Sequence, residues 1–392
     1  MRPPLPPCPI PLESLRRTAA PLEHAVQLPP EVYSDPAVFA FERAALLDRA
    51  WRCLGREEEV PEPGACRCSP VTPEGVLVVR GADGVARGFY NVCPHRGALL
   101  APAPAAATAT AAPPARPAAL VCPYHAWRFG LDGRLLGAPH TRELQGFDPA
   151  DHGLRAIRVD TWQGFLFANL DGQAPPLREW LADLPPFLQR WRLERLRCGR
   201  SQSYVVQANW KLLGENFAES HHFPLVHPEL NRLTPTRQAG SLVSRGPWQG
   251  GTMALRGDAE TVSLDGSRHG RPLLPGGTAE DARLVYDFLV WPTLLLSLQP
   301  DYLLVYRLDP IAPRQTRVTA SIHFAPDAFP GGPGDAPDVF TFWDLTNEQD
   351  RLVCEGQQLG VESRGWRPGR YATVEDGTHL FDRMVARAYG LA

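Results

Sequence analysis

Lysine is almost absent from this sequence: Lys211 is the only lysine among 40 basic residues, and the others are arginines. The basic residues are balanced by 43 acidic ones, which gives a net charge of −3, and they form no basic run. This balance excludes a strongly basic nucleic-acid binder. We therefore expect no nucleic-acid partner.

Long apolar runs are also missing. No stretch approaches the roughly 20 apolar residues that a membrane span needs, so no membrane association is expected. Residues 1–30 are rich in proline and have neither the basic start nor the apolar stretch of a signal peptide. The chain is therefore predicted to be cytoplasmic.

A disulfide framework is not expected either. Eight cysteines in 392 residues, without a secretion signal, indicate a reducing compartment. Only Cys93 and Cys122 are followed within three residues by a histidine. The other six are interpreted as buried or surface free thiols.

The length and texture of the chain predict an α+β protein with two domains. We predict an N-terminal arm and helix over residues 1–48 that packs on the second domain. A small all-β domain is predicted over 49–168 and a larger α+β domain over 169–392. The tract 101–119, almost entirely Ala, Pro and Thr, is predicted to be a surface insertion of the small domain.

Hydrophobic periodicity and turn residues predict the individual elements. Residues 1–30 are predicted to be irregular, and the texture from 52 to 169 is that of short strands. Helices are predicted over 35–51, 177–196, 211–222, 338–358 and 374–389. Antiparallel strands are predicted over 202–210, 284–307 and 317–324.

Two short motifs combine cysteine with histidine: Cys93-Pro-His95 and Cys122-Pro-Tyr-His125. Two thiolates and two imidazoles on paired loops can hold a zinc ion. They can equally hold a [2Fe–2S] cluster with two Cys on one iron and two His on the other. Neutral histidines reduce the negative charge of such a cluster, so it accepts an electron more easily than a four-Cys cluster.

The flanking residues favour the cluster. The runs Cys93-Pro-His-Arg-Gly and Cys122-Pro-Tyr-His-Ala-Trp-Arg-Phe-Gly-Leu-Asp-Gly-Arg-Leu strongly resemble the two loops of Rieske proteins. The 26 residues between His95 and Cys122 exceed the usual spacing of that family, and the Ala/Pro insertion accounts for the excess. The resemblance implies that Cys93, His95, Cys122 and His125 bind a [2Fe–2S] cluster.

A second constellation lies between Asn209 and Glu229, where His222 and His227 are five residues apart. On one continuous helix they would point about 140° apart. We therefore predict that Pro224 ends the helix near His222, so that the chain turns and brings His227 back. Two histidines and one carboxylate form the iron triad of non-haem Fe(II) oxygenases, which leaves positions open for O2 and substrate.

The carboxylate is predicted to be Asp350. At 100° per residue, Asp350 falls inside an apolar sector of the 338–358 helix. We define that sector by Val339, Trp343, Leu345, Leu352 and Val353. A carboxylate that faces a core needs a partner. Ferrous iron is one candidate partner, and an arginine in a buried salt bridge is the other.

The pair His222-x4-His227 with a distant Asp resembles the catalytic domain of Rieske non-haem iron oxygenase α subunits, over about residues 33–389. The resemblance implies a Rieske domain and a helix-grip-like catalytic domain with a curved antiparallel sheet. It implies Fe(II) at His222, His227 and Asp350, O2 as cosubstrate, and NAD(P)H acting through a ferredoxin or flavin-containing reductase. It also implies a homotrimer, in which Glu219 joins a cluster histidine of one subunit to an iron-ligand histidine of its neighbour.

Two further residues of this run are singled out. Asn216 matches a family position close to the iron. His221, which is adjacent to His222, is interpreted as a packed or solvated histidine rather than as the iron ligand.

Within this family, the runs 215–222, 291–307 and 358–375 look most like the branch that acts on quaternary-ammonium or N-methyl compounds. C–H hydroxylation or oxidative N-demethylation of a small substrate is therefore expected. The alternative within the class is a hydroxylase of an aromatic or natural-product substrate. Outside it, the alternatives are a Rieske electron-transfer protein and a zinc-stabilised binding module. Four aromatic residues are candidates for a cation–π wall, and the alternative for each of them is an ordinary core position: Phe217, Phe223, Tyr286 and Trp291.

Overall fold

The computed structural model describes residues 5–102, 118–242, 244–329 and 335–391. The chain divides into two compact units, one of residues 1–50 with 178–392 and the other of residues 51–177. The Ala/Pro/Thr tract lies almost wholly outside the described residues, and the three-part division at 48 and 168 stays a prediction. Within the described ranges, no helix is both long enough and apolar enough to cross a bilayer.

The smaller unit consists of two antiparallel sheets. Six strands form one sheet in the order β1-β9-β8-β4-β3-β2, and three form the other in the order β5-β6-β7. The strands are β1 (Trp51–Arg56), β2 (Cys66–Ser69), β3 (Val76–Arg80), β4 (Ala86–Tyr90), β5 (Leu120–Val121), β6 (Arg128–Phe129), β7 (Leu135–Gly137), β8 (Ala156–Trp162) and β9 (Phe165–Asn169). The predicted β texture of this region is confirmed.

Strand β3 shows why this unit has two cores. Its first four residues are all buried, and successive side chains of a strand point to opposite faces. Val76 and Val78 pack into one apolar cluster. Leu77 and Val79 pack into the other, which contains Cys93 and its partner cysteine on the second loop. Strand β3 therefore contributes to both cores, one of which contains the two cysteines of the Cys-His loops.

The larger unit is built on one antiparallel sheet of seven strands, in the order β10-β16-β15-β14-β13-β12-β11. The strands are β10 (Arg197–Val206), β11 (Ala239–Leu242), β12 (Trp248–Ala254), β13 (Leu284–Val290), β14 (Leu294–Leu298), β15 (Tyr302–Ala312) and β16 (Gln315–Phe324). Register shifts occur within β10 and β15. Bulges of this kind bend strands, so they contribute to the curvature of the sheet.

Ten α-helices are found in the described residues, and all but the first residue of α4 lie in the larger unit. They are α1 (Leu12–Ala19), α2 (Glu31–Ser34), α3 (Pro36–Glu42), α4 (Leu177–Trp180), α5 (Leu184–Leu188), α6 (Trp210–Phe217), α7 (Phe223–Val226), α8 (Pro228–Leu233), α9 (Pro337–Val361) and α10 (Asp376–Ala388). A π-helical turn continues α3 over Arg43–Leu47. The α+β class predicted from the sequence is confirmed.

Two predictions of helical structure were wrong. Residues 12–19 form a helix inside the segment predicted to be irregular, and that helix buries Leu15 completely. Conversely, 177–196 does not form one helix. Pro185 and Pro186 confine α5 to five residues, and Ala182 adopts a left-handed φ of 52°, which no helix interior accommodates.

The prediction for the long helix α9 was correct in position but partly wrong in its apolar face. Val339 and Trp343 are buried, whereas Leu345, Leu352 and Val353 are exposed. The helix packs on the sheet through residues such as Trp343, whose indole N–H donates to the Tyr302 hydroxyl at 2.7 Å. One side of α9 therefore faces the sheet.

A buried polar cluster ties the N-terminal segment to α6. The single lysine, Lys211, is fully buried, and its Nζ lies 2.5 Å from the Glu42 carboxylate. The Tyr33 hydroxyl donates to Glu215 at 2.8 Å. Asn209 caps α6 by accepting a hydrogen bond from the backbone N–H of Lys211. These contacts fix the helix that leads to the two histidines.

Candidate active site

The two Cys-His motifs form matching tight turns in the smaller unit. The Gly97 N–H donates to the Cys93 carbonyl at 3.0 Å, and the Ala126 N–H donates to the Cys122 carbonyl at 3.1 Å. Gly97 and Ala126 have left-handed φ values of 73° and 55°. Glycine adopts this conformation freely, whereas alanine does so at a cost in free energy. Both turns bring a cysteine and a histidine to the same side of their loop.

The four predicted cluster ligands come together. The two cysteines are about 1% and 2% exposed, and the ring centroids of His95 and His125 are 4.7 Å apart. Burial raises the pKa of Cys93. Burial acts in the same direction on Cys122, but the backbone amides of Tyr124 and His125 outweigh it and lower the pKa of that thiol. Backbone donors aimed at a sulfur stabilise the thiolate that binds a metal.

One nitrogen atom of this group is suited to binding a metal. His125 Nδ1 is buried and has no hydrogen-bond partner among the residues described. A buried ring nitrogen without a partner is costly, and coordination to a metal would satisfy it. Two buried cysteines and two neighbouring imidazoles, one with an unsatisfied nitrogen, fit a two-Cys, two-His [2Fe–2S] cluster.

In the larger unit, His222, His227 and Asp350 converge. One potential ligand atom from each lies within 4.8 Å of the other two. His227 Nε2 is 2.8 Å and His222 Nε2 is 3.7 Å from Asp350 Oδ1. His227 is about 1% exposed, whereas the side chain of Asp350 is 30% exposed. Two imidazole nitrogens and one carboxylate oxygen on one side of a point fit the facial triad of non-haem iron.

The turn that brings the two histidines together differs from the predicted one. Helix α6 already ends at Phe217, and Pro224 occupies the first turn of the short helix α7. Proline is well tolerated there because its missing N–H has no intrahelical partner in any case. His222 precedes α7 and His227 follows it. A single helical turn, rather than the end of a long helix, therefore folds one histidine back onto the other.

Hydrogen-bond acceptors orient both imidazoles. Glu219 Oε1 lies 2.6 Å from His222 Nδ1, and Gln349 Oε1 lies 2.7 Å from His227 Nδ1. Each acceptor holds the ring proton on Nδ1, which leaves the Nε2 lone pair for a metal. The Asp350 carboxylate raises the pKa of His227, although burial alone would lower it.

The remaining predicted residues surround this centre. Asn216 Nδ2 lies 3.5 Å from His222 Nε2. Glu219 also accepts hydrogen bonds from the backbone N–H groups of His221 and His222. The His221 side chain is exposed and does not belong to the ligand group.

A cavity of about 670 Å³ adjoins the three ligands, within the size range of small-molecule sites. Its floor is the sheet, and its sides are α6 and α9. Five aromatic residues line it: Tyr204, Phe217, Phe223, Tyr306 and Trp343. Of the four candidate aromatic residues, Phe217 and Phe223 line this cavity, whereas Tyr286 and Trp291 do not. Trp291 packs on Trp210 and Phe381 in the core.

Sequence reasoning missed two residues of the site, one that orients an iron-site histidine and one that lines the cavity. Gln349 precedes Asp350 on α9, and its role depends on the approach of His227 from another helix. Asp287 lies in the middle of β13, among apolar neighbours, and lines the cavity. An acidic residue within an otherwise apolar strand was the available signal for Asp287. Nothing comparable marked Gln349.

Comparison with known proteins agrees with this geometry. Residues 50–148 match the Rieske [2Fe-2S] domain family, and residues 193–391 match the catalytic domain of ring hydroxylating alpha subunits. The chain is 32% identical to the glycine betaine monooxygenase oxygenase subunit of Chromohalobacter salexigens, over 92% of this chain and 86% of that protein. It is 26% identical to the carnitine monooxygenase oxygenase subunit of Acinetobacter baumannii, over 92% of this chain and 94% of that protein.

Solved structures share the fold. A quaternary ammonium Rieske monooxygenase superimposes with a TM-score of 0.80 at 23% identity, covering 97% of this chain and 99% of that one. Naphthalene 1,2-dioxygenase from Rhodococcus superimposes with a TM-score of 0.75 at 18% identity, over 97% and 98% of the two chains. With two family matches and a relative above 30% identity over most of its length, the chain belongs to the Rieske non-haem iron oxygenase α subunits.

Proposed function

We propose that this enzyme oxidises a C–H bond next to nitrogen in a small quaternary-ammonium or N-methyl compound, by hydroxylation or oxidative N-demethylation. The observation that carries the proposal is the His222–His227–Asp350 group, which opens onto a cavity lined by aromatic residues. Aromatic faces attract cationic nitrogen. The relatives at 32% and 26% identity are named as oxygenase subunits for glycine betaine and carnitine.

As a Rieske oxygenase, the enzyme uses O2 together with electrons that come from NAD(P)H through a separate reductase. When bound, the [2Fe–2S] cluster supplies stored electrons and the mononuclear Fe(II) supplies O2 activation. We propose Cys93 and Cys122 with His95 and His125 as the ligands of the cluster.

At the mononuclear centre we propose His222, His227 and Asp350 as the iron ligands. Glu219 and Gln349 each hold a proton on the Nδ1 of one histidine, which keeps Nε2 directed at the metal. Asn216 is close enough to His222 Nε2 to place an amide beside the metal. Apolar residues of the sheet and of α6 keep bulk water away from the substrate.

The proposal extends to a homotrimer in which Glu219 carries the electron path from the cluster histidines of one subunit to His222 of its neighbour. The support comes from the resemblance to the family. A solved quaternary ammonium Rieske monooxygenase is also described in terms of inter-subunit electron transfer. In the single chain, Glu219 already contacts His222, which is one half of the bridge.

The substitution Glu219→Gln tests that bridge, because it keeps the shape of the side chain and removes its charge. We expect iron content and cluster absorption to be unchanged while product formation falls by about 10- to 100-fold. Glu229→Gln, at an exposed position of α8, is the matched control. Unchanged turnover in Glu219→Gln would refute the assignment.

A substrate panel with a surrogate reductase tests the reaction itself. The panel contains glycine betaine, carnitine, choline and a tertiary N-methylamine, with an aromatic hydrocarbon as the contrasting class. Product and hydrogen peroxide are measured together. We expect formaldehyde or a hydroxylated product from at least one N-methyl compound. Turnover of the hydrocarbon alone would overturn the proposed substrate class.

A further inference from the structure

The cavity contains a carboxylate that the iron site does not use. Asp287 lies at the centre of β13 and faces the cavity from the sheet. Its neighbours across the strands are Gly251 on β12 and Ser297 on β14. Because Gly251 has no side chain, Asp287 is open toward the cavity on that side.

No basic residue of the described lining neutralises this carboxylate. Within the described part of the chain it accepts a hydrogen bond from the Ser297 side chain, and burial raises its pKa to about 6. Among the described lining residues, the only Lys or Arg cations are Arg237 and Arg351. Arg351 is held at 2.6 Å by both Glu348 and Glu355 on its own helix, and Arg237 is exposed. An ionised carboxylate without a cation in such surroundings is unfavourable.

Two amide oxygens lie in the same wall. Gln249 and Gln299 both line the cavity and are about 4% and 2% exposed. The Oε1 atom of each is buried without a hydrogen-bond partner among the described residues. The amide nitrogen of Gln299 donates to Ser297 Oγ at 2.9 Å, which directs its oxygen elsewhere. This wall therefore combines two amide oxygens with the Asp287 carboxylate. Buried acceptors of this kind require hydrogen-bond donors or a cation.

The same cavity reaches the iron ligands. The Tyr306 hydroxyl donates to Asn347 Oδ1 at 2.5 Å, and Asn347 precedes Asp350 by one helical turn. Tyr306 and Asp350 line the cavity together with Asp287. A molecule that occupies the cavity therefore has access both to the acceptor wall and to the metal centre.

We propose that Asp287, together with Gln249 and Gln299, binds the positively charged nitrogen of the substrate. This inference rests on the proposed function and adds the residues that select a cation over a neutral molecule of the same shape. The carboxylate supplies the charge, and the two amide oxygens accept N–H bonds, or C–H contacts from N-methyl groups. Asp287 is thus the specificity-determining residue of the cavity.

The test compares a cation with its neutral isostere. Choline and 3,3-dimethylbutan-1-ol differ in that a carbon replaces the charged nitrogen. Binding of each to the iron- and cluster-loaded enzyme is measured by calorimetry at pH 7.5, separately from turnover. We expect the wild type to prefer choline by about tenfold or more, a tenfold difference corresponding to 1.4 kcal/mol. We expect Asp287→Asn to lose that preference while its affinity for the alcohol stays the same.

Three further variants complete the test. Asp287→Glu keeps the charge and should retain part of the preference. Asp344→Asn removes an exposed carboxylate that lies outside the cavity and pairs with Arg200, so the preference should persist. Gln249→Met removes one acceptor without touching the charge, and it should weaken choline binding by about threefold, or roughly 0.6 kcal/mol.

The outcomes separate this inference from the proposed function. If Asp287→Asn retains the wild-type preference for choline, or if the wild type shows no preference, the inference is overturned. If choline binds in an Asp287-dependent way but no N-methyl compound is oxidised, the inference stands and the proposed reaction fails.

Discussion

Asp350 offers a direct test of the proposed iron site. It is the only proposed ligand that comes from α9, and it closes a group otherwise formed by His222 and His227. We expect Asp350→Ala to lower the iron content from three atoms per chain to two, because the cluster keeps its own pair. Product formation should be lost while the visible absorption of the cluster remains.

Asp344→Ala is the matched control for that experiment. Asp344 lies on the same helix, is largely exposed and pairs with Arg200 at 2.8 Å. It should retain three irons per chain and full activity. Three irons in Asp350→Ala would contradict the ligand assignment. Two irons in the wild type would support a Rieske electron carrier instead of an oxygenase.

Asp382 and Glu215 form a buried pair of carboxyl groups, which predicts that the stability of the protein depends on pH. Asp382 is about 1% exposed, and burial raises its pKa to about 7, despite a hydrogen bond from Tyr371. Burial raises the pKa of its neighbour Glu215 as well. A carboxyl group with a raised pKa in the folded state stabilises the fold below its unfolded pKa of about 4, and that stability is lost as pH rises toward 7.

The substitution Asp382→Asn removes the titration while keeping an acceptor for Tyr371. We expect the melting temperature of the wild type to fall between pH 5 and pH 8, and the fall to be smaller in the variant. Differential scanning calorimetry at four pH values measures both curves. Asp376→Asn, at the exposed start of the same helix, should follow the wild type. Parallel curves for Asp382→Asn and wild type would show that this carboxyl is ionised in the fold.

At the scale of helices, α10 approaches the end of α6 closely, just before the proposed iron ligands, and we expect this contact to position them. A Cβ added at Gly377 would lie 2.0 Å from the carbonyl oxygen of Ala218, the residue that follows α6. Backbone cannot give way as a flexible side chain can, so Gly377→Ala must displace the segment that leads to Glu219 and His222. We expect a loss of about 1–3 kcal/mol in stability and a reduced iron content.

An exposed glycine of α9 offers a control for which the opposite change in stability is expected. At Gly356, an added Cβ meets nothing within 4 Å. Gly356→Ala should therefore stabilise the protein by about 0.5–1 kcal/mol, because glycine is a poor helix residue. Chemical denaturation gives both values, and metal analysis gives the iron content. Equal behaviour of the two variants would mean that the α10 contact does not position the site.

The sequence predicted best those elements in which one face of a single strand or helix is buried. Strand 317–324 alternates cleanly and was found as Gln315–Phe324, and 338–358 was found as Pro337–Val361. The region 177–196 was wrong because its apolar residues are buried by short turns that proline interrupts. The wheel of α9 was wrong at Leu345, Leu352 and Val353, which are exposed, because the buried side of that helix includes polar residues such as Thr346 and Asn347.

The proposed cysteine and histidine ligands were predictable because each of them lies in a short motif of unusual residue types, whereas Asp350 was inferred from its position on a helix. The residues that orient and complement these ligands were less predictable. Gln349 and Asp287 acquire their roles only when separate elements meet, and no local pattern encodes that meeting. The turn at Pro224 shows the intermediate case: the return of His227 was expected, but its geometry depended on a short helix that periodicity does not resolve.

At the scale of the whole molecule, the two metal centres belong to different structural units. The proposed cluster ligands lie in residues 51–177 and the proposed iron ligands in residues 178–392. Coupled turnover needs electrons to pass from one centre to the other. If that passage crosses between subunits, as we propose, a subunit that lacks one centre can still serve a neighbour that has it.

Mixed trimers test this directly. Cys122→Ala is expected to lose the cluster but keep the iron, and Asp350→Ala to lose the iron but keep the cluster. Each variant alone should be inactive. Subunits of both kinds, carrying different affinity tags, are coexpressed, and the doubly tagged assemblies are purified and assayed. We expect these assemblies to recover a substantial fraction of the wild-type rate, because some interfaces pair an intact cluster with an intact iron site. If instead the electron path runs within one chain, every subunit in the mixture lacks one end of it, and no activity should return.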